Sequence, residues 1–448
     1  MTDHDEAVRR LQEMLRFDTT NPPGNELALV RHLAGQLQRE GLDAQVLESA
    51  PERANLAVRL RGDGSQRPLL LMSHLDVVPA EPAQWSHPPF AGQVTDGILY
   101  GRGAIDSKLT AAVHLQVLLM AHRQELPLKR DLVLIAAADE EVGGTYGMSW
   151  LAREHQDWLD AEFGINEAGG FAVLVDGQPI YTCQVAEKGG ADIDLVSTGR
   201  PGHSSVPHDD NSIVHLGDVL TALGGRLPHR VTPAVGAFFE ASAQAARPEV
   251  AGLLRDLSDP QCCAAALAAL PAEPPVKAMF DAMLRNTCAP TMLEAGIKRN
   301  VIPSQATVRL SGRPLPGVTE TAFLEEVSGL LGAAGDRVDV QLGTFRPGVA
   351  FDHETPLLTA MTDALRCHEP RAVLAPYMQT GGTDARYLTD LDITVYGFVP
   401  MRHEPGCDFF ELCHGHDERV SLDNIAFAVD VTYDVVRQLN GCEHSSAR

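Results

Sequence analysis

The stretch "LLLMSHLDVVP", residues 69–79, joins an apolar strand to two polar side chains at the point where the apolar run breaks. His74 and Asp76 lie two residues apart, and side chains at that spacing point to the same face of an extended strand. Asp76 is therefore placed to accept a hydrogen bond from one ring nitrogen of His74 and to leave the other free, as in a metal-ligating histidine. A strand-end histidine beside a solvated aspartate is the alternative, and this stretch alone does not decide between them.

Apolar runs alternate with helical patterns over the first part of the chain. "ANLAVRLRG" and "RDLVLIAAA" are typical of buried strands, and "TAAVHLQVLLMAHRQ" is typical of a helix. Two further helices are predicted near the start, one with Val8, Leu11 and Leu15 on its apolar face and one over residues 27–40. This alternation predicts an α/β sheet covered by helices on both faces. Ligands of such sheets bind beyond the carboxyl ends of the strands, where His74 and Asp76 fall.

The pattern changes near residue 188. "ADIDLVSTG" and "ATVRLSG" alternate like half-exposed strands, and "NSIVHLGDVLTALGG" and "TETAFLEEVSGLLGAAG" are helix candidates. The helical pattern of the first part resumes at "ETPLLTAMTDALRC". We therefore predict a catalytic domain in two parts, residues 1–188 and 352–448, with an inserted two-layer α+β domain over 189–351. The Ala-rich stretch over 230–286 predicts an extra helical segment.

Composition narrows the class of partner. The 448 residues carry 60 acidic and 36 basic side chains, a formal charge of −24, which disfavours nucleic acid or an anionic membrane and favours a small molecule. The start, "MTDHDEAVRRLQEMLRF", lacks the features of a secretory signal. The eight cysteines form no CxxC pairs, which indicates reduced thiols. We therefore predict a cytoplasmic protein.

Four further motifs place acidic or histidine side chains next to turns. They are "YGRGAIDSK" with Asp106, "LIAAADEEVGG" with Asp139, Glu140 and Glu141, "FGINEAGG" with Glu167, and "LCHGHDERV" with His414. Each motif alone is also expected of a solvated acidic turn. Adjacent carboxylates repel one another unless solvent or cations neutralise them. The repetition of such motifs in one α/β domain favours a shared cation site.

The motifs together resemble a known family. In order, "SHLDVV", "GRGAIDSK", "DEEVGG", "NEAGG", "GRPGHSSVP", "RNVIPSQATVRLSGRPLPG", "GGTDAR" and "HGHDERV" are similar to the motif series of the di-zinc aminoacylase and carboxypeptidase family. That family includes acetylornithine deacetylase, succinyl-diaminopimelate desuccinylase and glutamate carboxypeptidase. The resemblance covers roughly residues 5–440, and "HLDVVPA", "QWSHPPFAG" and "YGRGAID" are most similar to its carboxypeptidase S and N-acyl amino acid hydrolase branch. It implies a mixed α/β sheet of the di-zinc exopeptidase type, with the inserted domain acting as a lid and in dimerisation.

The resemblance also implies a metal site. Five residues would hold two divalent metal ions, with His74 and Glu167 on the first, Glu141 and His414 on the second, and Asp106 bridging both. Asp76 would orient His74, and Glu140 would be the general base. His414 is preferred to His416 because the family's ligand stands four residues before a glutamate, here Glu418. Because the ligands are nitrogen and oxygen only, zinc is expected, while cobalt or manganese could substitute.

The implied activity is hydrolysis of an N-acyl amino acid or peptide bond next to a free carboxylate. Arg386 in "GGTDAR" would bind that carboxylate with its guanidinium fork, and Asn300 and Arg313 on the inserted domain would complete the pocket. Ser311 stands where the family commonly has an acid beside Arg313. His203 would reach the active site of the partner subunit in a homodimer and stabilise the oxyanion. A di-zinc aminopeptidase or dipeptidase, and a non-catalytic binding protein on the same fold, are the alternatives.

Overall fold

The structure, a computed structural model, describes residues 2–406 and 409–442. Its helices are α1 Asp3–Leu15, α2 Leu27–Arg39, α3 Lys108–Arg123, α4 Met148–Glu154, α5 Gln156–Leu159, α6 Ser212–Ala222, α7 Pro233–Ala245, α8 Pro248–Asp256, α9 Cys263–Ala269, α10 Pro274–Met283, α11 Glu320–Leu331, α12 Pro356–His368, α13 Phe409–Leu412 and α14 Leu422–Leu439. The predicted N-terminal helices correspond to α1 and α2. Helix α1 begins with a capping box in which Thr2 and Asp5 each accept a main-chain N–H of the other.

The strands are β1 Ala44–Ala50, β2 Arg53–Leu60, β3 Leu69–His74, β4 Gln93–Thr95, β5 Ile98–Tyr100, β6 Leu132–Ala137, β7 Phe163–Asn166, β8 Ala172–Val175, β9 Gln178–Glu187, β10 Gly190–Thr198, β11 Gly202–His203, β12 Thr287–Ala295, β13 Val301–Ile302, β14 Gln305–Arg313, β15 Val338–Arg346, β16 Val349–Ala350, β17 Val373–Gln379, β18 Thr394–Gly397 and β19 Arg419–Ser421. Ten of them form one large sheet, and β10, β12, β14 and β15 form a second.

The large sheet is mixed. Its order is β1-β2-β6-β3-β7-β18-β9-β16, with β8 and β17 also paired to β9. At its centre β3 runs parallel to β6 and β7, and every residue of β3 and β6 is buried. Continuous apolar runs such as these are typical of strands buried on both faces. The predicted α/β class, with a mixed sheet covered by helices, is confirmed.

The second sheet is antiparallel, in the order β12-β14-β10-β15. Helix α6 packs on β10 and β14, so this module has the two-layer α+β form that the sequence predicted. The Ala-rich segment forms the helices α7 to α10. Helix α7, however, packs against β17 of the large sheet, with the Phe238 ring 6.1 Å from that of Tyr377. The predicted boundaries at 188/189 and 351/352 stay a prediction.

Among the described residues, none of the helices combines the length and apolar character that crossing a membrane requires.

Candidate metal centre

Three neighbouring strands end at the same edge of the large sheet and carry the predicted site residues. His74 is the last residue of β3, Glu140 and Glu141 follow β6, and Glu167 follows β7. The sheet order β6-β3-β7 places these ends side by side, because parallel strands present their carboxyl ends at one edge. Asp106 reaches the same edge from the turn before α3.

The five predicted ligands form two groups that share Asp106. The Nε2 of His74 lies 3.0 Å from Oδ1 of Asp106 and 3.1 Å from Oε2 of Glu167. The Nε2 of His414 lies 3.1 Å from Oδ2 of Asp106 and 3.2 Å from Oε2 of Glu141. Within each group the candidate ligand atoms all lie within 4.8 Å of one another. The two oxygens of Asp106 thus face different histidines, as a bridging carboxylate requires.

The charges of this cluster fit two divalent cations. Burial and the charge of Asp106 raise the pKa of Glu141 to about 7, and its Oε1 is buried without a hydrogen-bond partner in the described structure. Hydrogen bonds to Asp106 and Glu141 raise the pKa of His414 to about 10. Burial lowers the pKa of His74, but Glu167 and Asp106 outweigh that effect and hold it well above its ordinary value. Each of these groups therefore favours positive charge where a metal ion would bind, with the nitrogen and oxygen ligands that zinc accepts.

Asp76 holds two parts of the site at once. The Nδ1 of His74 is 3.0 Å from the main-chain oxygen of Asp76 and 3.4 Å from its carboxylate Oδ1. The carboxylate instead accepts the main-chain N–H groups of Glu140 at 3.0 Å and Glu141 at 3.2 Å, and the side-chain amide of Asn21 at 2.8 Å. The sequence predicted a direct bond from ring to carboxylate. In the structure the ring is held mainly by the main chain, because the carboxylate is occupied by the turn after β6.

That turn is anchored by residues for which the sequence predicted no role. Asp139 is buried with φ at +70°, a conformation that is strained for a residue other than glycine. It accepts a bond of 2.7 Å from Arg53, which also pairs with the buried Glu26 at 2.7 Å. This buried network fixes Asp139, so the two glutamates that follow point into the site. Arg53 stands directly before the strand pattern "ANLAVRLRG", and nothing in the sequence indicates its partners.

Glu418 and Arg102 hold the turn that carries Asp106. Each oxygen of the Glu418 carboxylate accepts two hydrogen bonds. Oε2 accepts from the Arg102 guanidinium at 2.7 Å and from the main-chain N–H of Gly103 at 2.9 Å. Oε1 accepts from the main-chain N–H groups of Ile105 at 2.7 Å and Asp106 at 3.0 Å. Gly103 has φ at +90°, and a Cβ there would lie 2.9 Å from Val77, so glycine is required. The motif around His414 and the turn around Asp106 are thus fixed to one another.

Glu140 lies beside a cation and a second acid. Its side chain is 11% exposed, and its Oε1 is 3.6 Å from the Nη2 of Arg386. Burial raises its pKa well above the ordinary value, with Asp384 adding to the effect and His74 and Arg386 opposing it. Burial likewise raises the pKa of Asp384 to about 7. Asp384 was part of the quoted motif "GGTDAR" but was not predicted as a site residue.

A cavity of about 450 Å³ opens over these residues. Asp106, Glu140, Glu141, Glu167 and His414 line it on the metal side. The arginines of its wall are the predicted Arg313 and Arg386 and, in addition, Arg346, which the sequence analysis missed. Arg346 ends strand β15, which was not predicted although Val338, Val340 and Leu342 alternate along it as in a half-exposed strand.

His203 and Asn300 lie together but outside this cavity. Strand β11 pairs His203 with Val301 of β13, and the N–H of Ser204 donates to the oxygen of Asn300 at 3.2 Å. Both residues are exposed, and in the described chain neither lines the cavity. The Nδ1 of His203 is 2.7 Å from the hydroxyl of Ser205. The structure thus brings these two predicted residues to each other and not to the metal ligands of their own chain.

Comparisons with known proteins agree with this geometry. A family model described as peptidase family M20/M25/M40 matches residues 70–438. The chain is 30% identical over 403 residues to the N-fatty-acyl-amino acid synthase/hydrolase PM20D1 of Homo sapiens, covering 87% of this chain and 78% of that protein. It is 28% identical over 431 residues to aminoacylase-1 of Sus scrofa, covering 95% and 93%.

Solved structures show the same fold at low identity. An M20 family metallo-carboxypeptidase of Sulfolobus solfataricus superposes with a TM-score of 0.73 at 18% identity, covering 97% of this chain and 99% of that one. The YXEP protein of Bacillus subtilis, a dinuclear metal-binding peptidase of the M20 family, gives 0.62 at 13% identity, covering 98% and 99%. These matches confirm the predicted resemblance and the prediction of a metal-dependent hydrolase: the chain belongs to peptidase family M20/M25/M40.

Proposed function

We propose that the chain hydrolyses the amide bond of an N-acyl amino acid or small peptide next to a free carboxylate. The observation that supports this most is that one cavity holds both the carboxylate and histidine cluster and the arginines Arg313, Arg346 and Arg386. Arginines in the same cavity as a metal site suit a substrate with a carboxylate beside the bond to be cleaved. The names of the relatives, aminoacylase-1 among them, agree with this substrate class.

In this proposal His74, Asp106 and Glu167 hold one divalent ion, and Asp106, Glu141 and His414 hold the other. Zinc is the proposed metal, and cobalt or manganese could replace it. Bound metal ions supply activation of a water and polarisation of the scissile carbonyl.

Glu140 is the proposed general base. It takes a proton from the attacking water and delivers it to the leaving amine. Burial raises the pKa of Glu140 above its ordinary value, which makes its carboxylate a better proton acceptor than a solvated one. Arg386, 3.6 Å from this carboxylate, is close enough to bind a substrate carboxylate beside the reacting bond.

We further propose a homodimer in which His203 and Asn300 complete the partner subunit's active site. Exposed apolar side chains surround these two residues, with Val206 at 71% exposure and Ile297 at 96%. Strand β12 is an edge of the second sheet and exposes Leu293 at 57%. Exposed apolar patches and a sheet edge in one region are typical of an interface between subunits. The location in the cytoplasm stays a prediction.

A substrate panel tests the proposed reaction. Release of free amino acid would be measured from N-acetyl amino acids, dipeptides with free and blocked amino termini, and the matching carboxamides. We expect hydrolysis of acylated or blocked substrates that have a free carboxylate, and weak hydrolysis of the amides. Cleavage only of substrates with a free amino terminus would indicate an aminopeptidase instead. Binding of these compounds without turnover by the zinc-loaded protein would indicate a binding protein.

A further inference from the structure

A second cavity of about 270 Å³, here called the aromatic pocket, shares part of its apolar wall with the catalytic cavity. Ile105, Met401, Phe409 and Phe410 line both cavities. Ile105 precedes the proposed bridging ligand Asp106 in the chain. The aromatic pocket therefore begins next to the metal ligands.

Further residues that line the aromatic pocket are also apolar. Phe171, Ala172 and Val173 come from strand β8 and the residue before it, and Val276 comes from helix α10. The rings of Phe171 and Phe409 stack with centroids 4.1 Å apart and planes 10° apart. Helix α10 belongs to the Ala-rich segment, which thereby acquires a place beside the substrate path.

Three polar side chains that line the aromatic pocket, those of Arg402, Ser421 and Asn424, already have partners. Arg402 donates to Glu369 at 2.6 Å, and Ser421 donates to Glu404 at 2.5 Å. The amide of Asn424 bonds the main chain of Arg402 through both its oxygen and its nitrogen. A ligand in the aromatic pocket thus gains little from these three side chains, and burial against the apolar wall is the contribution that the aromatic residues offer it.

The aromatic pocket and the arginines lie on different parts of the catalytic cavity. Arg313, Arg346 and Arg386 line the catalytic cavity but, in the part of the chain that the structure describes, not the aromatic pocket. A substrate with a carboxylate at one end and an apolar group at the other can contact both when it lies across the metal ligands. Its amide bond is then placed between the two ends.

We infer that the aromatic pocket binds the acyl chain of the substrate, and that the preferred substrates are N-acyl amino acids with a medium-length aliphatic chain. This inference rests on the proposed function and specifies its substrate class. At roughly 30 Å³ for a group the size of water, 270 Å³ divided by 30 Å³ gives room for about nine such groups. A methylene group is of similar size, so the aromatic pocket accepts a chain of about eight or nine carbons.

Chain-length dependence tests this directly. The kcat/KM would be measured for the acetyl, butyryl, hexanoyl, octanoyl, decanoyl and dodecanoyl derivatives of L-leucine. Each methylene moved from water into an apolar site favours binding by about fourfold. We expect kcat/KM to rise by up to that factor per methylene and to level off near octanoyl or decanoyl. A kcat/KM that is equal for all six substrates would overturn the inference.

Variants whose larger side chains fill the aromatic pocket supply the second test. Val276→Phe adds a ring from α10, and Ala172→Leu fills the aromatic pocket from β8 should the first variant fail to fold. Either variant should lower the ratio of decanoyl to acetyl kcat/KM at least tenfold. Ala278→Phe adds the same ring to the exposed face of α10 and is the matched control, which should keep the wild-type ratio. An unchanged ratio in the folded Val276 or Ala172 variant would refute the assignment.

The inference and the proposed function fail differently. Hydrolysis of N-acetyl-leucine without any gain from longer chains would refute the acyl pocket and leave the function standing. If no member of the series is hydrolysed, the proposed function fails. Calorimetric titration of the wild-type protein with N-decanoyl-leucine and N-acetyl-leucine then tests whether the aromatic pocket binds the acyl chain. Only a bound acyl chain makes N-decanoyl-leucine bind more tightly than N-acetyl-leucine.

Discussion

The carboxylate of Glu418 is fully buried and accepts two hydrogen bonds on each of its oxygens. Glu418→Gln keeps the volume of the side chain but replaces one oxygen by an NH₂ donor. Whichever way the amide turns, that donor faces either Arg102 and Gly103 or Ile105 and Asp106. Two hydrogen bonds are lost, and two buried donors have no acceptor, at about 1–3 kcal/mol each. The charge of Arg102 also loses its partner.

We therefore expect Glu418→Gln to lower the free energy of unfolding by about 3–5 kcal/mol, as for a broken buried ion pair. Urea denaturation followed by circular dichroism measures this, with chelator present so that bound metal does not contribute. The control is Glu240→Gln, which removes an exposed pair with Arg255 at 2.9 Å and should change stability far less. A loss below about 1 kcal/mol for Glu418→Gln, the size of a surface pair, would refute the reasoning.

Three further predictions concern substrate binding, assembly and pH. Arg386→Lys should reduce kcat/KM for substrates with a free carboxylate far more than for their amides, because lysine keeps the charge but loses the fork; equal losses would move carboxylate recognition to another residue. Mixing inactive His203→Ala and Glu140→Ala homodimers should restore about a quarter of wild-type activity, because about half the dimers are then mixed and each mixed dimer has one intact site of two. No recovery of activity, once mixed dimers are shown to form, would refute the action of His203 across the interface. The Asp434 carboxylate, 2.8 Å from His368, raises the pKa of that imidazole above 6.5. The stability this pair contributes is therefore fully present below pH 6.5 and is lost as pH rises through the raised pKa, so His368→Gln should flatten that decline in pH-dependent unfolding; an unchanged pH profile would contradict it.

The metal-side residues could be predicted because their signal is local. An acid or histidine stands at or just after the end of each of these apolar strands, as with His74 at the end of β3 and Glu167 after β7. Parallel strands bring such ends together without any further information. His414 is different, because it follows no strand of the large sheet, and the choice of His414 over His416 came only from the resemblance to known motifs.

The supporting residues could not be predicted because their partners are far apart in sequence. Glu418 bonds the turn around Asp106 across 312 residues, and Arg53 bonds Asp139 across 86. No periodicity or spacing within a motif reports such pairs. The orientation of Asp76 was predicted only in part for the same reason, since the N–H groups that occupy its carboxylate belong to the turn after β6.

The inserted domain shows a third reason why the sequence did not predict the whole structure. Strand β12 is largely exposed, so its residues lack the alternating pattern that marks a half-buried strand. Strand β15, which ends in Arg346, was not predicted either, although Val338, Val340 and Leu342 give it the alternating pattern of a half-exposed strand. The aromatic pocket draws Phe171, Val276 and Phe409 from three separate segments, and only the folded chain brings them together.

The metal content of two neighbouring variants tests the central claim most directly. Glu140→Ala and Glu141→Ala would be purified, loaded with zinc, dialysed and measured for bound metal and for turnover of an N-acyl amino acid. We expect Glu141→Ala to lose about one metal ion per chain, because it removes a ligand, and Glu140→Ala to keep both and lose turnover, because it removes only the base. Equal loss of metal from both variants, or full turnover by wild-type protein shown to be metal-free, would contradict the account.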